Sequence, residues 1–258
     1  MSRRPAAILL AGVVVPAAAA YAALVEALGP DVDARPKELE LYAADAPPDG
    51  YGLTLEVEGL LRAADEWGLE TFHLVGYSGG GAVSLVAATT APERLESLTL
   101  LEPAWSGWDG LEPPERAAWE GFDTMRDAPP DELMRSFVRA QLRPGVEAPP
   151  PPAGPQPAWM AKRPAGIRAI QRAFRDAELD RTALARFDRP VLYVLGGRSN
   201  PDLYERPARR LARLFPDFTC EVFEERHHFD PPHRIEPERL AALLRAHWHR
   251  AGEPSRVP

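Results

Sequence analysis

Cysteine is almost absent from this chain, because Cys220 is the single thiol among 258 residues. One cysteine cannot form an intrachain disulfide, so no disulfide framework is available and a reducing, cytoplasmic compartment is expected. Cys220 itself lies in a strand-like segment, 219–223. That setting predicts a buried, unreactive thiol rather than a nucleophile.

Concentrated positive charge and long apolar runs are also scarce. The formal net charge is -8 without a basic stripe, so we expect no nucleic-acid partner. Beyond the N-terminus no apolar run is long enough to cross a bilayer, and no membrane partner is expected. Arg3 and Arg4 before an apolar stretch resemble an export signal. Residues 6–15 also fit a buried strand, and we favour structure over targeting because cleavage near Ala20 would remove that strand.

Motifs for metals and for nucleotide phosphates are missing as well. His227, His228 and His233 share one short loop without the H-E-x-x-H spacing of a zinc site. No G-x-G-x-x-G phosphate loop is present in the sequence. We therefore expect neither a metal nor a cofactor.

Strand and helix patterns alternate along much of the chain. This alternation predicts an α/β fold with a mostly parallel sheet of about six strands flanked by helices. Residues 1–102 and 189–258 would form this core, and residues 103–188 would form an inserted helical cap with a proline-rich loop at 149–157. Predicted strands lie near 6–13, 38–43, 71–76, 97–102, 191–195 and 219–223, and predicted core helices near 17–28, 54–67, 80–90, 204–215 and 237–250.

The most informative motif is Gly76-Tyr77-Ser78-Gly79-Gly80. An apolar, strand-like run precedes it and a run of small residues typical of a buried helix follows it. The chain must turn sharply between the two, which projects the Ser78 hydroxyl and leaves room for no side chain at Gly76 or Gly80. This context predicts a nucleophile elbow, and the alternative is a glycine-rich turn with an incidental serine.

The elbow after the third predicted strand, the helical insertion and a histidine after the last strand resemble the α/β-hydrolase fold family. The resemblance covers nearly the whole chain and implies an N-terminally short member that lacks the first two strands of the family's usual sheet. It further implies hydrolysis of an ester, thioester or related small acyl substrate through a Ser-His-acid triad, with Ser78 as nucleophile. Other chemistry of the same fold stays open: acyl transfer, carbon–carbon bond hydrolysis, lyase reactions or non-catalytic ligand binding. The oligomeric state is not predicted.

The base of such a triad would be a histidine in the loop after the last strand. His73, His247 and His249 do not fit this position, since the first lies in the elbow strand and the others on the terminal helix. In the family a hydrophobic or aromatic residue commonly follows the base, and Phe229 therefore favours His228. His227 remains the alternative, and His233, beyond two prolines, is expected to be peripheral.

The acid does not stand where the family most often has it, because Ser199 occupies that position after the penultimate strand. A serine cannot stabilise an imidazolium as a carboxylate does. Some members carry the acid at the end of the strand after the elbow helix, where this chain has Glu102. We favour Glu102 over Asp202, which lies three residues beyond the usual position.

The resemblance also suggests the groups that would bind the oxyanion and the substrate. Backbone N–H groups of Gly79 and of Val13, with Val14 as the alternative, would form the oxyanion hole. Ala11-Gly12 stands where many relatives have His-Gly, and backbone donors do not need that histidine. Tyr77, Trp105 and Trp108 are candidate pocket residues, although most aromatic residues of the cap are expected to be core.

Overall fold

The structure, a computed structural model, describes residues 4–125, 128–150 and 157–252. Within them one sheet of six strands has the order β2-β1-β3-β4-β5-β6, and every neighbouring pair is parallel. The predicted α/β fold with a parallel sheet is therefore confirmed. The strands are β1 Ala6–Leu10, β2 Asp33–Lys37, β3 Phe72–Tyr77, β4 Leu95–Leu101, β5 Val191–Gly196 and β6 Phe218–Phe223.

Helices connect the strands and cover both faces of the sheet. None of the helices in the described ranges is both long and apolar enough to cross a membrane. Short 3-10 turns add Glu40–Tyr42, Pro92–Arg94 and Ala158–Lys162. The helices are α1 Ala17–Leu28, α2 Leu53–Glu66, α3 Gly79–Thr90, α4 Pro113–Thr124, α5 Pro130–Ala140, α6 Arg163–Asp176, α7 Arg181–Ala185, α8 Glu205–Leu211, α9 Pro232–Ile235 and α10 Pro237–Ala251.

Strand β1 shows how the sheet divides the core into two layers. Ala7 and Leu9 point to the layer formed by α1 and α10, while Ile8 and Leu10 point to the layer formed by α2 and α3. Successive side chains of a strand face opposite sides, so a strand covered on both faces needs a continuous apolar sequence. The sequence Ala-Ala-Ile-Leu-Leu of β1 meets this need, and all five residues are buried.

The second strand differs from the prediction, which placed it at 38–43. β2 is Asp33–Lys37, a polar edge strand that contains Pro36 and is mostly half-buried. An edge position tolerates proline because one side of the strand needs no ladder hydrogen bonds. Leu39 and Leu41, whose apolar character suggested a strand, lie instead in and beside a 3-10 turn and are each 1% exposed. The prediction of a strand at 38–43 is thus wrong: the strand ends at Lys37, and a 3-10 turn follows it.

Among the described residues of the segment predicted to be helical, four helices, α4 to α7, lie between β4 and β5. The division of the chain into a core and a cap stays a prediction. Of the predicted proline-rich loop, residues 151–156 lie outside the described residues, as does Arg3 of the N-terminal stretch that resembles an export signal.

Cys220 lies in β6 as predicted, but the expectation of a buried thiol is wrong. The residue is exposed. β6 is an edge strand, and five of its six residues are half-buried or exposed. Side chains of an edge strand are buried only where a helix covers that face, which strand propensity does not indicate.

Candidate active site

Ser78 lies at the turn from β3 into α3. Its φ is 54°, on the side of the Ramachandran plot that non-glycine residues rarely adopt, and the residue is 4% exposed. Its N–H donates to the Leu101 carbonyl at 3.1 Å, while its own carbonyl accepts from Ala82 at 3.1 Å and Ala104 at 2.9 Å. These three bonds hold the strained backbone in place, as expected where strain belongs to a functional site.

Two glycines make the turn possible. A Cβ on Gly80 would lie 2.6 Å from the Ala11 carbonyl oxygen, and a Cβ on Gly76 would lie 2.5 Å from the Gly80 carbonyl oxygen. Both distances are shorter than van der Waals contact, and the obstructing atoms are backbone. The close approach of β3, α3 and the end of β1 therefore requires glycine at both positions.

His228 contacts Ser78 and Glu102 at the same time. Its Nε2 lies 3.0 Å from Ser78 Oγ and its Nδ1 lies 3.0 Å from Glu102 Oε2. The ring is packed from the sides, because Tyr204 stacks on it with centroids 4.6 Å apart and Tyr77 lies 5.0 Å away. The Tyr77 hydroxyl donates to the His228 carbonyl. The histidine is 1% exposed, so these contacts fix its orientation.

Glu102 directly follows β4, again with a positive φ, 46°. Its carboxylate is 5% exposed and uses both oxygens, since Oε1 accepts from the Gly196 N–H at 2.7 Å while Oε2 faces His228. Asp202 is not at this site: its carboxylate accepts from Arg206 Nε at 2.8 Å. Ser199 is 2% exposed, and its Oγ has no hydrogen-bond partner among the described residues. Of the carboxylates left open by the sequence, Glu102 is the one that reaches His228.

The remaining loop histidines lie elsewhere. His227 Nδ1 accepts from the N–H groups of Phe229 and Asp230 at 3.1 and 3.2 Å, and burial lowers the pKa of its imidazole. His233 is fully buried and lines a cavity that also touches Ser78. The expectation that His233 is peripheral is therefore wrong, because the two prolines before it lead the chain back onto α1.

The buried tyrosines of the site stay protonated. Burial raises the pKa of Tyr77 and Tyr204 well above the usual value, and the charge of Glu102 raises both further. A neutral phenol donates a hydrogen bond, as Tyr204 does to Gln141 at 2.6 Å. These residues therefore act as fixed walls around His228 and do not titrate near neutral pH.

Gly79 and Val13 lie next to each other beside Ser78. A Cβ on Gly79 would be 2.8 Å from Val13 Cγ1. Gly79 is the first residue of α3, and the N–H groups of the first turn of a helix have no carbonyl partner within that helix. The neighbouring N–H of Gly80 already donates to the Ala11 carbonyl at 3.0 Å. Tyr42 donates to the Val13 carbonyl at 2.7 Å, which holds the β1–α1 loop in place. Gly79 and Val13 thus lie side by side next to Ser78, and their role as donors to an oxyanion stays a prediction.

Two cavities meet at Ser78. The first has a cavity volume of about 20 Å³ and the second of about 40 Å³, and both are partly open to solvent. We call them the cap cavity and the His228 cavity. The cap cavity is lined by Val13, Ser78, Ala104, Trp119, Phe122, Phe137, Gln141, Ile170, Gln171, Phe174, Leu203 and Tyr204, and the His228 cavity by Gly12, Val13, Val14, Val15, Ala20, Tyr77, Ser78, Phe137, His228, Phe229, Pro231, His233 and Arg234.

The three candidate pocket residues have different positions. Tyr77 lines the His228 cavity, whereas Trp105 and Trp108 line neither cavity. Trp105 stacks on Phe174 with centroids 6.0 Å apart, and Trp108 Nε1 donates to the Phe174 carbonyl at 2.7 Å. Both tryptophans therefore support the wall of the cap cavity from behind. Residues of α5 and α6 that do line it, such as Phe137, were missed, although their positions on the apolar faces of amphipathic helices gave a signal.

No cluster of three or more His, Cys, Asp or Glu side chains in the described part of the chain is placed to bind a metal. The arrangement of Ser78, His228 and Glu102 is one that can transfer a proton. A carboxylate at Nδ1 holds the proton of the imidazole on that nitrogen and leaves the Nε2 lone pair facing the serine hydroxyl. An imidazole so oriented can accept the hydroxyl proton and return it to a departing group.

Comparisons with known proteins bear on the family and the fold of the chain. A model of the Alpha/beta hydrolase family matches residues 7–243. RutD of Caulobacter segnis, which bears the provisional name carbamate hydrolase, is 28% identical over 95 residues, 37% of this chain and 33% of that protein. The match thus spans about a third of that relative's length.

Solved structures resemble the whole chain. An esterase from Thermogutta terrifontis superposes with a TM-score of 0.70 at 16% identity, over 96% of this chain and 91% of the other. A hydrolase from Pseudomonas aeruginosa gives a TM-score of 0.68 at 22% identity, over 94% and 89%. At these identities the structures show a shared fold, while the family model covers most of the sequence. The chain belongs to the alpha/beta hydrolase family.

Proposed function

We propose that this protein hydrolyses an ester, thioester or related acyl compound through a covalent acyl-enzyme on Ser78. One observation carries the proposal: His228 lies 3.0 Å from both Ser78 Oγ and Glu102 Oε2, with all three side chains buried. A free serine hydroxyl is too weak a nucleophile at neutral pH and needs an adjacent base. The single cysteine of the chain supports the accompanying proposal of a cytoplasmic location.

In the first step, Ser78 Oγ attacks the acyl carbon while its proton moves to His228 Nε2. The new bond joins Oγ to carbon, and the carbonyl electron pair moves onto oxygen. Gly79 and Val13 N–H groups are the proposed donors to that oxyanion. When the electron pair returns, the bond to the leaving group breaks, and the leaving atom takes the proton from His228. Glu102 stabilises the imidazolium that exists between the two proton transfers.

In the second step, water replaces the leaving group. His228 Nε2 accepts a proton from water as the water oxygen attacks the acyl carbon. The bond to Ser78 Oγ then breaks, and Oγ recovers the proton from His228. The products are a carboxylic acid and the free enzyme, and no external oxidant or cofactor takes part.

The helices between β4 and β5 are assigned the role of a cap in this proposal. Phe122 of α4, Phe137 of α5 and Ile170 of α6 line the cap cavity together with Ser78. Apolar walls next to a reactive serine exclude water and bind an apolar part of the substrate. Residues 103–188 would thus select the substrate, and the sheet would supply the reacting groups.

The test measures hydrolysis of p-nitrophenyl esters of increasing chain length, beside matching acyl-thioesters, by wild type and by Ser78→Ala. We expect the variant to lose a factor on the order of 10⁵ to 10⁶ in kcat. Ser199→Ala is the matched control, because Ser199 is also a buried serine but its hydroxyl makes no hydrogen bond to a described residue. Retention of activity in Ser78→Ala, or an equal loss in Ser199→Ala, would refute the proposal.

A further inference from the structure

His233 is a buried side chain with no assigned partner. It is 0% exposed, and neither ring nitrogen has a hydrogen-bond partner among the described residues. Its ring contacts the rings of Tyr21 and Tyr77, with centroids 4.8 and 4.7 Å away. Buried polar groups are normally hydrogen-bonded, so the two ring nitrogens of an imidazole that lines a cavity call for a partner there, either water or a polar group of a ligand.

The protonation state of His233 indicates which ligand groups it can accept. Burial and the charge of Arg234 lower the pKa of its imidazole to about 3. The ring is therefore neutral near pH 7 and offers one N–H donor and one nitrogen acceptor. The N–H can donate to a hydroxyl, carboxylate or phosphate oxygen, whereas the other nitrogen can accept only from a group that carries a proton, and the neutral ring supplies no charge.

Arg234 supplies the charge at the same cavity. The residue is exposed, lines the His228 cavity, and its guanidinium makes no ion pair with a described residue. Burial is the main cause of the raised pKa of Tyr77 and of the lowered pKa of His233, and the charge of Arg234 also acts on both rings, which places it within electrostatic reach of the cavity. Asp230, the acidic residue of the preceding loop that is nearest in sequence to Arg234, is already engaged by Arg226 at 3.2 Å. An anionic ligand is the complementary partner for the free guanidinium.

The position of His228 decides which part of a substrate this cavity receives. His228 lines this cavity and not the cap cavity. In the proposed reaction the leaving atom must take its proton from His228 Nε2, so the leaving group lies on the side of that ring. The acyl group is then left to the cap cavity, whose lining is mainly aromatic and aliphatic.

We infer that the His228 cavity is a leaving-group subsite in which His233 and Arg234 bind an anionic oxygen group, a carboxylate or a phosphate. The preferred substrate is thus an ester or thioester that joins an apolar acyl group to a small alcohol or thiol carrying a carboxylate or a phosphate. This inference rests on the proposed function and adds the chemistry of the leaving group to it. The bond that breaks joins the acyl carbon to the leaving oxygen or sulfur, which departs with the proton from His228.

The test compares three butanoyl esters that differ in their leaving groups: 3-hydroxybenzoate, its neutral amide, and 3-hydroxyphenyl phosphate. For each variant the ratio of kcat/KM for an anionic ester to that for the amide is measured. Intrinsic reactivity cancels when these ratios are compared between variants. The carboxylate and phosphate arms show which anionic group is preferred.

Arg234→Gln is expected to lower the ratio about fivefold, as for an exposed ion pair that solvent partly screens. The wild-type ratio should fall with added salt, and the ratio of Arg234→Gln should not. Arg213→Gln is the matched control, because this substitution removes the same charge. Arg213 is also exposed, and it lines neither cavity. It should leave the ratio unchanged.

His233→Phe keeps an aromatic ring against Tyr21 and Tyr77 but removes both ring nitrogens. We expect it to raise KM for all three esters more than it lowers kcat, with a thermal midpoint measured alongside. If this variant fails to fold, Arg234→Gln still decides the question.

Equal ratios in wild type and Arg234→Gln, with hydrolysis still dependent on Ser78, would overturn this inference alone. If wild type prefers a succinyl over a butanoyl acyl group and Arg234→Gln does not, Arg234 contacts the acyl group. That result would overturn the assignment of the cavity to the leaving group. Absence of any ester hydrolysis by wild type would instead remove the proposed function, and this inference with it.

Discussion

Replacing Glu102 by glutamine changes the charge of the carboxylate and almost nothing of its shape. Both oxygens of Glu102 accept hydrogen bonds, one from the Gly196 N–H at 2.7 Å and one at His228 Nδ1, 3.0 Å away. An amide has one acceptor oxygen and one NH₂ donor. If its oxygen stays with Gly196, the NH₂ group faces Nδ1 and favours the tautomer whose proton is on Nε2.

That tautomer donates to Ser78 Oγ and cannot accept its proton, so the serine loses its base. We expect kcat to fall by a factor on the order of 10⁴, which corresponds to about 5.5 kcal/mol in the activation free energy. The backbone is not expected to move, because glutamine meets the positive φ of 46° with the same Cβ substitution.

The assay is the steady-state hydrolysis of a p-nitrophenyl ester, with circular dichroism to verify that each variant is folded. Asp202→Asn is the control, because it makes the same change at a carboxylate that pairs with Arg206 instead of His228. It should stay within about twofold of wild type, as for most surface substitutions. A Glu102→Gln enzyme within tenfold of wild type, or an equal loss in Asp202→Asn, would refute the role of Glu102.

Two further predictions concern stability. Gly80→Ala places a Cβ 2.6 Å from the Ala11 carbonyl oxygen, and we expect it to lower the free energy of unfolding, measured in urea, by roughly 1–3 kcal/mol. Gly121→Ala in α4 is the control, because a Cβ there has no atom within 4 Å, and it should raise the free energy of unfolding by about 0.5–1 kcal/mol. A Gly80→Ala protein as stable as wild type would contradict the close packing at the elbow. Burial lowers the pKa of His73 to about 4 and of His247 to about 3. Because the unfolded chain binds these protons near pH 6.5, stability should fall as pH drops below that value, by up to about 1.4 kcal/mol per pH unit for each histidine. Urea midpoints that do not change between pH 6.5 and 5 would contradict this.

The elbow was predictable because its signal is local. Steric limits require Gly76 and Gly80 within a few residues of Ser78, and the flanking strand and helix are encoded by adjacent apolar runs. Glu102 was predicted from the resemblance, because some family members carry the acid at the end of the strand after the elbow helix, and a carboxylate that ends a buried strand is costly unless it has a partner. In the structure Ser78 and Glu102 both lie within hydrogen-bond distance of His228, while the roles of the three residues in catalysis remain a proposal.

The parts that were missed depend on packing between distant segments. β2 is an edge strand without an apolar run, so its pairing with β1 is decided by the neighbouring strand and not by its own sequence. The burial of His233 follows from the packing of α9 on α1, two elements more than 200 residues apart in sequence. Which cap aromatics reach Ser78 likewise depends on how α4, α5 and α6 meet.

Covalent labelling with a fluorophosphonate probe, followed by intact-mass and peptide mass analysis, tests the nucleophile most directly. We predict one adduct per chain, located on Ser78, formed by folded wild type and by Ser199→Ala but not by Ser78→Ala. Labelling of the folded wild-type protein at another residue, or no labelling at all, would contradict the assignment of Ser78.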